Sequence, residues 1–310
     1  MTGPKVRIAA QAKLNLHLRV LAREDSGFHS LETIFHRIDL ADDLVIEVTD
    51  GERAVDVEGA ETGPMESNLA YRAAAAYAAH AGWPKGFRIQ LTKRIPVGAG
   101  LGGGSADAAA VLRALNFMSG DPIGSHGLLR LAAGFGSDIP FLASDAVMAL
   151  AWGHGERMLS LAPLPRYDVM LMTPEFSVST ADAYRWLDED RARQRDVTAM
   201  MGDAKSVDER DAAPDAAVLD TVSLSTWASI ARFARNDFEA PVSARHPQLA
   251  EYLQSLRSST AVFAQMTGSG STIFGVFDSP PNYSRVPEEH RERVTTTRTS
   301  IDVVQPVRLG

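Results

Sequence analysis

The chain has 310 residues, room for two domains around one site, and 45% hydrophobic with 23% charged residues describes a globular protein rather than a disordered or collagenous one. Lys plus Arg (31) against Asp plus Glu (39) leaves a net charge of −8 with no basic block, which argues against nucleic acid as a partner. The absence of cysteine removes disulfides, thiolate metal sites and cysteine nucleophiles, and no apolar run suits a signal peptide or a membrane span, so a cytoplasmic protein with no membrane partner is expected.

Near the N-terminus Leu14, Leu16, Leu18 and Val20 alternate with Asn15, His17 and Arg19, predicting a half-buried strand with one polar face and Lys13 at its mouth. The same period of two recurs over 44–48 and 87–91. Between them 68–81 reads as an Ala-rich helix, capped by Ser67 or Asn68 and ended by Gly82. A second Ala-rich helix is expected over 106–117, and a third over 128–135, broken by Gly134 and Gly136. After Gly153-His154-Gly155-Glu156 the pattern changes, with a buried strand over 168–172 and two strand-like runs within 266–277 joined by Gly268-Ser269-Gly270. The domain boundary is therefore expected between 155 and 165, dividing the chain into 1–160 and 161–310. Residues 188–215 carry nine acids against five bases with little apolar periodicity, which predicts a surface insertion, and the tail from Pro280 predicts a loop and one closing strand over 301–304.

From Pro96 the chain runs Val97-Gly98-Ala99-Gly100-Leu101-Gly102-Gly103-Gly104-Ser105-Ala106, five glycines in seven residues between a strand and a helix. Backbone N–H groups freed of side chains, at a helix N-terminus with unpaired donors, make a seat for phosphate. The spacing also matches a dinucleotide fingerprint, but a Rossmann first strand is a continuous apolar run, whereas 87–94 alternates and Pro96 interrupts it. A Walker loop would end in Gly-Lys-Ser/Thr, and here the nearest lysine, Lys93, precedes the glycines.

Phosphoryl transfer asks for positioning, charge neutralisation and a group to receive the acceptor hydroxyl's proton. Asp138, just past Gly136 and before Ile139-Pro140-Phe141, is an acid in apolar company that calls for a cation, and Lys13, on the first strand's polar face, is the natural answer. Spacing alone leaves two readings of Asp138, a base or a helix cap, and two of Lys13, a partner or a solvated side chain. Asn15 shares the face of Lys13, whereas His17 reads as structural. Phe28 and His29 beside Gly27 supply a ring for stacking and a polar handle for a base edge, or else an aromatic tucked into the core. His36, His80 and His154 lack metal-ligand spacing, so no zinc site is expected.

The glycine loop followed by its Ala-rich helix resembles the hallmark of the GHMP kinase superfamily. Ala12-Lys13-Leu14-Asn15-Leu16, Ser26-Gly27-Phe28-His29-Ser30-Leu31 with Thr33 and Phe35, Gly136-Ser137-Asp138-Ile139-Pro140-Phe141, Gly155-Glu156 and Thr267-Gly268-Ser269-Gly270-Ser271 resemble, in order, the blocks of one branch. That branch phosphorylates the 2-hydroxyl of a cytidine-diphosphate sugar alcohol in the non-mevalonate isoprenoid pathway. The resemblance implies an α+β, two-domain GHMP kinase fold, its first half like domain 2 of ribosomal protein S5 and its second half ferredoxin-like. It also implies ATP and Mg²⁺ as cofactors and a small molecule as partner. Lys13 and Asp138 match the catalytic positions. The loop from Pro96 to Ala106, with Asn68 and Lys93, matches the nucleotide site. Asn15, Phe28, His29, Phe35, Thr180 and Tyr184 match the acceptor site, with Phe28 and Tyr184 as two walls around cytosine. Ser26 and Phe28 stand where the pattern has Asp and Tyr, which keeps a stacking ring and loses a hydroxyl. The magnesium ligands are not fixed by the pattern; Ser105 and, more weakly, Glu156 are the candidates. Two readings compete: a mevalonate, homoserine or galactose kinase sharing the glycine loop, and a non-catalytic nucleotide-binding protein.

Overall fold

Two long antiparallel strands organise the first half of the chain in the computed structural model, which describes residues 3–24, 29–200, 222–282, 286 and 288–309. β1 (Lys5–Arg23) and β2 (His29–Thr49) pair from Lys5 opposite Glu47 to Arg23 opposite His29, with bulges that bend the ribbon. β3 (Arg53–Glu58) and β4 (Gly86–Thr92) extend the sheet beyond β2, β3 running parallel to β4. β5 (Met148–Gly153) lies along the other end of β2 and forms a hairpin with β6 (Arg157–Leu161).

Four helices belong to this half: α1 (Leu69–Ala81), α2 (Gly103–Met118), α3 (Gly124–Ala133) and α4 (Ile139–Ala143). α1 starts where Asn68 accepts a hydrogen bond from the Ala70 N–H at 2.9 Å, and ends at Gly82 in the left-handed region. Its buried residues Ala70, Ala73, Ala74, Tyr77 and Ala78 follow the helical period, one stripe against the core. α2 is buried on nearly every side, and its alanines let sheet and helices approach closely. α3 lies earlier at both ends than the expected 128–135, because Gly134 closes it.

β7 (Asp168–Met172), β8 (Phe263–Met266), β9 (Ile273–Phe277) and β10 (Val294–Arg298) form a second, antiparallel sheet in the order β10-β7-β9-β8. In chain order that is 4-1-3-2, the ferredoxin-like arrangement. α5 (Thr180–Met200), α6 (Trp227–Ala231), α7 (Glu239–Arg245) and α8 (Pro247–Arg257) lie between β7 and β8, whereas the described return to β10 carries only the short 3₁₀ turn Glu288–Arg293.

Three expectations are corrected. The strand at 14–20 is not half-exposed: Lys13, Asn15 and His17 are all buried, since the second half packs on that polar face and Leu18 N–H donates to the Arg235 carbonyl at 2.7 Å. Residues 188–200, expected as a surface insertion, are not a separate element but the C-terminal part of α5, whose charges pair along and across the helix, Arg185 with Asp182 and Glu189, and Arg245 with Asp190; the remainder, 201–215, lies outside the described residues. No strand forms at 301–304. The closing strand is instead β11 (Val307–Leu309), which pairs with β1 at the edge of the first sheet, so the end of the chain returns to the first half and 161–310 is not one continuous unit.

Candidate active site

The glycine loop and the first strand meet at the seam between the halves. Gly102 caps α2 with φ 73°, and the N–H groups of the first turn, Gly103 to Ser105, have no acceptor within the helix and sit on a cavity of about 640 Å³. Lys13 lies beneath, its N–H donating to the Leu101 carbonyl at 3.1 Å. Its ammonium donates to Asn15 Oδ1 at 2.6 Å and the Gly100 carbonyl at 3.0 Å, and pairs with Asp138 Oδ2 at 3.2 Å. The question that spacing left open is answered in part: Asp138 stands at the start of α4, yet its side chain caps nothing and meets Lys13.

A second glycine loop supports the first. At Gly100 a Cβ would fall 2.3 Å from the Thr267 carbonyl oxygen, and at Gly268 it would fall 2.9 Å from that of Gly100, so the two loops touch backbone to backbone. Thr267 Oγ1 accepts the Asn15 N–H at 3.0 Å, Gln265 donates to the Asn15 carbonyl at 2.8 Å, and Asn236 donates to the carbonyls of Met266 and Gly268 at 2.8 and 2.9 Å. Asn15 is held by this frame and by Thr33, to which its amide donates at 2.8 Å.

Lys93 lines the glycine-loop cavity, but its ammonium is already paired. It is buried under Gly103, where it pairs with Asp42 and, at 2.7 Å, with Asp107. Asp42 also accepts the N–H groups of Arg94 and Ile95, fixing the start of the loop. Two carboxylates on one ammonium leave a surplus negative charge: burial pushes the Asp107 carboxyl well above the ordinary range, and one of its oxygens has no partner among the described residues. Burial works against the Lys93 charge, but Asp107 and Asp42 outweigh it and hold that ammonium above its usual value.

Asn68, Asn15, Phe35, Thr180 and Tyr184 line the same cavity. Phe35 is a core residue stacked on Phe141 at 5.0 Å, so it is a floor rather than a free wall. Thr180 opens α5 and lies 3.2 Å from Ser269 Oγ. Tyr184 stands between this cavity and a neighbouring one of about 1100 Å³ lined by Arg23, His29, Arg185 and Asp188. Burial, with Asp138 nearby, pushes its phenol up to about 12. Its ring stacks on His29 at 4.8 Å and takes the edge of Phe238, while His29 Nε2 lies 3.0 Å from Asp188. Phe28, the other expected wall, lies outside the described residues.

Sequence reasoning missed Asp42, Asp107, Gln265 and Asn236, and quoted Thr267 and Ser269 without giving them a place. Asp107 stood in plain view two residues past Ser105. The others share no local pattern and reach the site only through the fold. Among the described residues no helix is long and apolar enough to cross a membrane.

The fold and this glycine-lined seam define a GHMP kinase: residues 68–148 match the family described as GHMP kinases N terminal domain, and 221–294 the one described as GHMP kinases C terminal. Within that class the chain belongs to the 4-diphosphocytidyl-2-C-methyl-D-erythritol kinase family. It is 38% identical to the kinase of that name from Pelotomaculum thermopropionicum, over 94% of this chain and 96% of the relative, and 33% identical to that from Prosthecochloris aestuarii, over 92% and 93%. A solved 4-(cytidine 5'-diphospho)-2C-methyl-D-erythritol kinase structure superposes with a TM-score of 0.71 at 33% identity, covering 95% of this chain and 99% of the other. A homoserine kinase from Cytophaga hutchinsonii, at 18% identity and a TM-score of 0.68 over 98% and 97% of the chains, shares the fold.

Proposed function

We propose that the chain transfers the terminal phosphoryl group of ATP to the 2-hydroxyl of 4-diphosphocytidyl-2-C-methyl-D-erythritol. The observation that carries the reading is the contact of Lys13 Nζ with Asp138 Oδ2 at 3.2 Å, where the glycine-loop cavity meets Tyr184 and the cavity beyond it. Asp138 accepts the hydroxyl proton as the acceptor oxygen bonds to the terminal phosphorus and the bond to the departing ADP oxygen breaks. Lys13 steadies the charge that develops on the acceptor oxygen, a task for which proximity and electrostatics outweigh covalent chemistry. The backbone of 98–105 cradles the phosphates. Lys93 acts beneath that loop as a support rather than as a phosphate ligand, because its charge already has two carboxylate partners.

The donor set fits a magnesium ion carried in on the nucleotide. A magnesium ion that keeps its water and phosphate oxygens asks a protein for few ligands, and those are oxygen donors such as a hydroxyl. Ser105, on the cavity wall at the last loop position, is the residue that would hold it, whereas Glu156 is committed to its own turn through the His154 N–H at 2.8 Å. When bound, the ion neutralises phosphate charge. Tyr184 and His29 offer the acceptor's pyrimidine a ring and a base-edge contact, with Phe28 as a further ring. The reaction is placed in the cytoplasm on the reading that a sequence without cysteine fits a reducing compartment.

The test is turnover of ATP with three acceptors. Phosphorylation of the cytidine-diphosphate sugar alcohol, with mevalonate and homoserine untouched, is expected. Equal or faster phosphorylation of either of those two would overturn the assignment, and no turnover with any acceptor would favour a non-catalytic nucleotide binder.

A further inference from the structure

Arg37 is among the largest fully buried side chains, and among the described residues no carboxylate lies within ion-pair distance of it. Burial lowers its pKa to about 9, so it stays a cation at neutral pH in surroundings that oppose its charge. A hydrophobic side chain would be easier to bury there.

Its hydrogen bonds converge on one short stretch. Nε donates to the Ala146 carbonyl at 2.9 Å, and one terminal nitrogen faces the carbonyls of Phe141, Leu142 and Ser144 at 2.9, 3.0 and 3.0 Å. These are the last turn of α4 and the bend after it. The guanidinium also lies over the Phe141 ring at 5.0 Å, and Phe141 stacks on Phe35, whose ring is 5.8 Å from Lys13 Nζ. The main chain of Arg37 is fixed as well, its N–H donating to Val147 and its carbonyl accepting from Ser300.

At the other end of α4 stands Asp138, whose carboxylate meets only Lys13 among the hydrogen bonds and ion pairs of the described residues. Where that carboxylate sits is therefore decided by the backbone of α4. Lys13 and Arg37 are cross-strand partners on β1 and β2, and they reach the helix from opposite ends, Lys13 the acid and Arg37 the carbonyls. With only five residues, α4 has too few internal hydrogen bonds to hold its own position.

We propose that Arg37 is a positioning residue for phosphoryl transfer, clamping the C-terminal carbonyls of α4 so that Asp138 is held opposite Lys13. This rests on the reading of Asp138 as the base. Arg37 touches no reacting atom; it acts through the helix.

The test is a double-mutant cycle on the full chain with Arg37→Met, Arg37→Lys and Asp138→Asn. Melting curves select folded protein, and kcat and KM are measured separately. A displacement approaching an ångström at a reacting group costs up to about 10²-fold, so Arg37→Met should lower kcat by about 10- to 100-fold with both KM values within about twofold. Arg37→Lys, which keeps a cation and fewer donors, should fall between that variant and wild type, and it carries the test if Arg37→Met does not fold. Because Arg37 acts through Asp138, adding either Arg37 change to Asp138→Asn should lower kcat no further, whereas a general loss of structure would multiply the two effects. Wild-type kcat in folded Arg37→Lys and Arg37→Met, or multiplying losses in the double variant, would overturn the proposal. Undiminished kcat in Asp138→Asn alone would overturn the reading of Asp138 beneath it.

Discussion

Replacing Gly102 by alanine separates the backbone role of the glycine loop from its role beside Lys13. Gly102 has φ 73° and ψ 24°, and Gly82, at the far end of α1, has φ 68° and ψ 11°. An alanine at either position pays the left-handed penalty of about 1–2 kcal/mol, so both variants should melt a few degrees below wild type and close to each other. Their surroundings differ. A Cβ at Gly82 meets nothing within 4 Å, whereas at Gly102 it falls 3.0 Å from Lys13 Cε, 3.2 Å from Cγ and 3.5 Å from Asp138 Oδ2. Comfortable carbon contacts begin near about 3.5 Å, so Lys13 must withdraw by roughly half an ångström. With about 10²-fold lost per ångström of misplacement, kcat should drop about tenfold in Gly102→Ala and stay near wild type in Gly82→Ala. Steady-state kinetics beside matched melting curves make the comparison. If the two variants melt together and turn over alike within twofold, the Lys13–Asp138 contact is not what this glycine protects.

Lys13→Met and Asp138→Asn should each lower kcat by at least about 10²-fold, and the double variant should be no worse than the weaker single one; a change confined to KM would make Lys13 a binding residue only. Tyr184→Ala should raise the KM for the cytidine acceptor by roughly 5- to 150-fold, the range that about 1–3 kcal/mol of base stacking spans, with KM for ATP unmoved; Tyr184→Phe should be near neutral. His36 gives a pH signature. Burial lowers its pKa to about 4, its Nδ1–H donates to the Arg37 carbonyl, and its buried Nε2 has no partner among the described residues, so a second proton would find no acceptor. The folded pKa lies below the unfolded value of about 6.5, so this stabilising contribution is complete above pH 6.5 and is lost as pH falls toward 4. His36→Gln should therefore flatten the loss of stability between about pH 6.5 and 4 relative to wild type, measured by denaturant unfolding; identical slopes would count against a buried neutral imidazole.

The glycine loop was legible because its chemistry is contiguous: donors, turn glycines and helix start follow one another within eleven residues, Pro96 to Ala106. Both Ala-rich helices showed their period, and Asn68 and Gly82 marked the ends of α1. The pairing of Lys13 with Asp138 spans most of the first half, and only the resemblance chose between base and cap. What stayed hidden depends on how the halves dock. A strand face carrying Lys13, Asn15 and His17 reads as exposed until the segments at 233–237 and 265–267 cover it. The charges of 188–200 read as a solvated run because helical pairs such as Arg193 with Asp190 look, in one dimension, like mere alternation. The apolar, β-branched Ile301, Val303 and Val304 suggested a strand, but Gln11 takes the Val304 N–H into a side-chain contact there and the ladder with β1 forms further on, at Val307–Leu309.

The back-to-back contact of Gly100 with Thr267 and Gly268 bears on how this protein can be re-engineered. The glycine loop belongs to one half of the chain and its buttress to the other, packed so closely that a Cβ added at Gly100 or at Gly268 would fall 2.3 or 2.9 Å from the facing carbonyl oxygen. A chimera that kept the first half and borrowed another kinase's second half would need a donor strand turn with the same bare position at Gly268 and an asparagine equivalent to Asn236 to hold it. Without them, the graft would dislodge the glycine loop before its new second half was ever tried. On the proposed placement of the acceptor, exchange of specificity is more readily sought in the side chains around Tyr184 and His29 than at the joint between the halves.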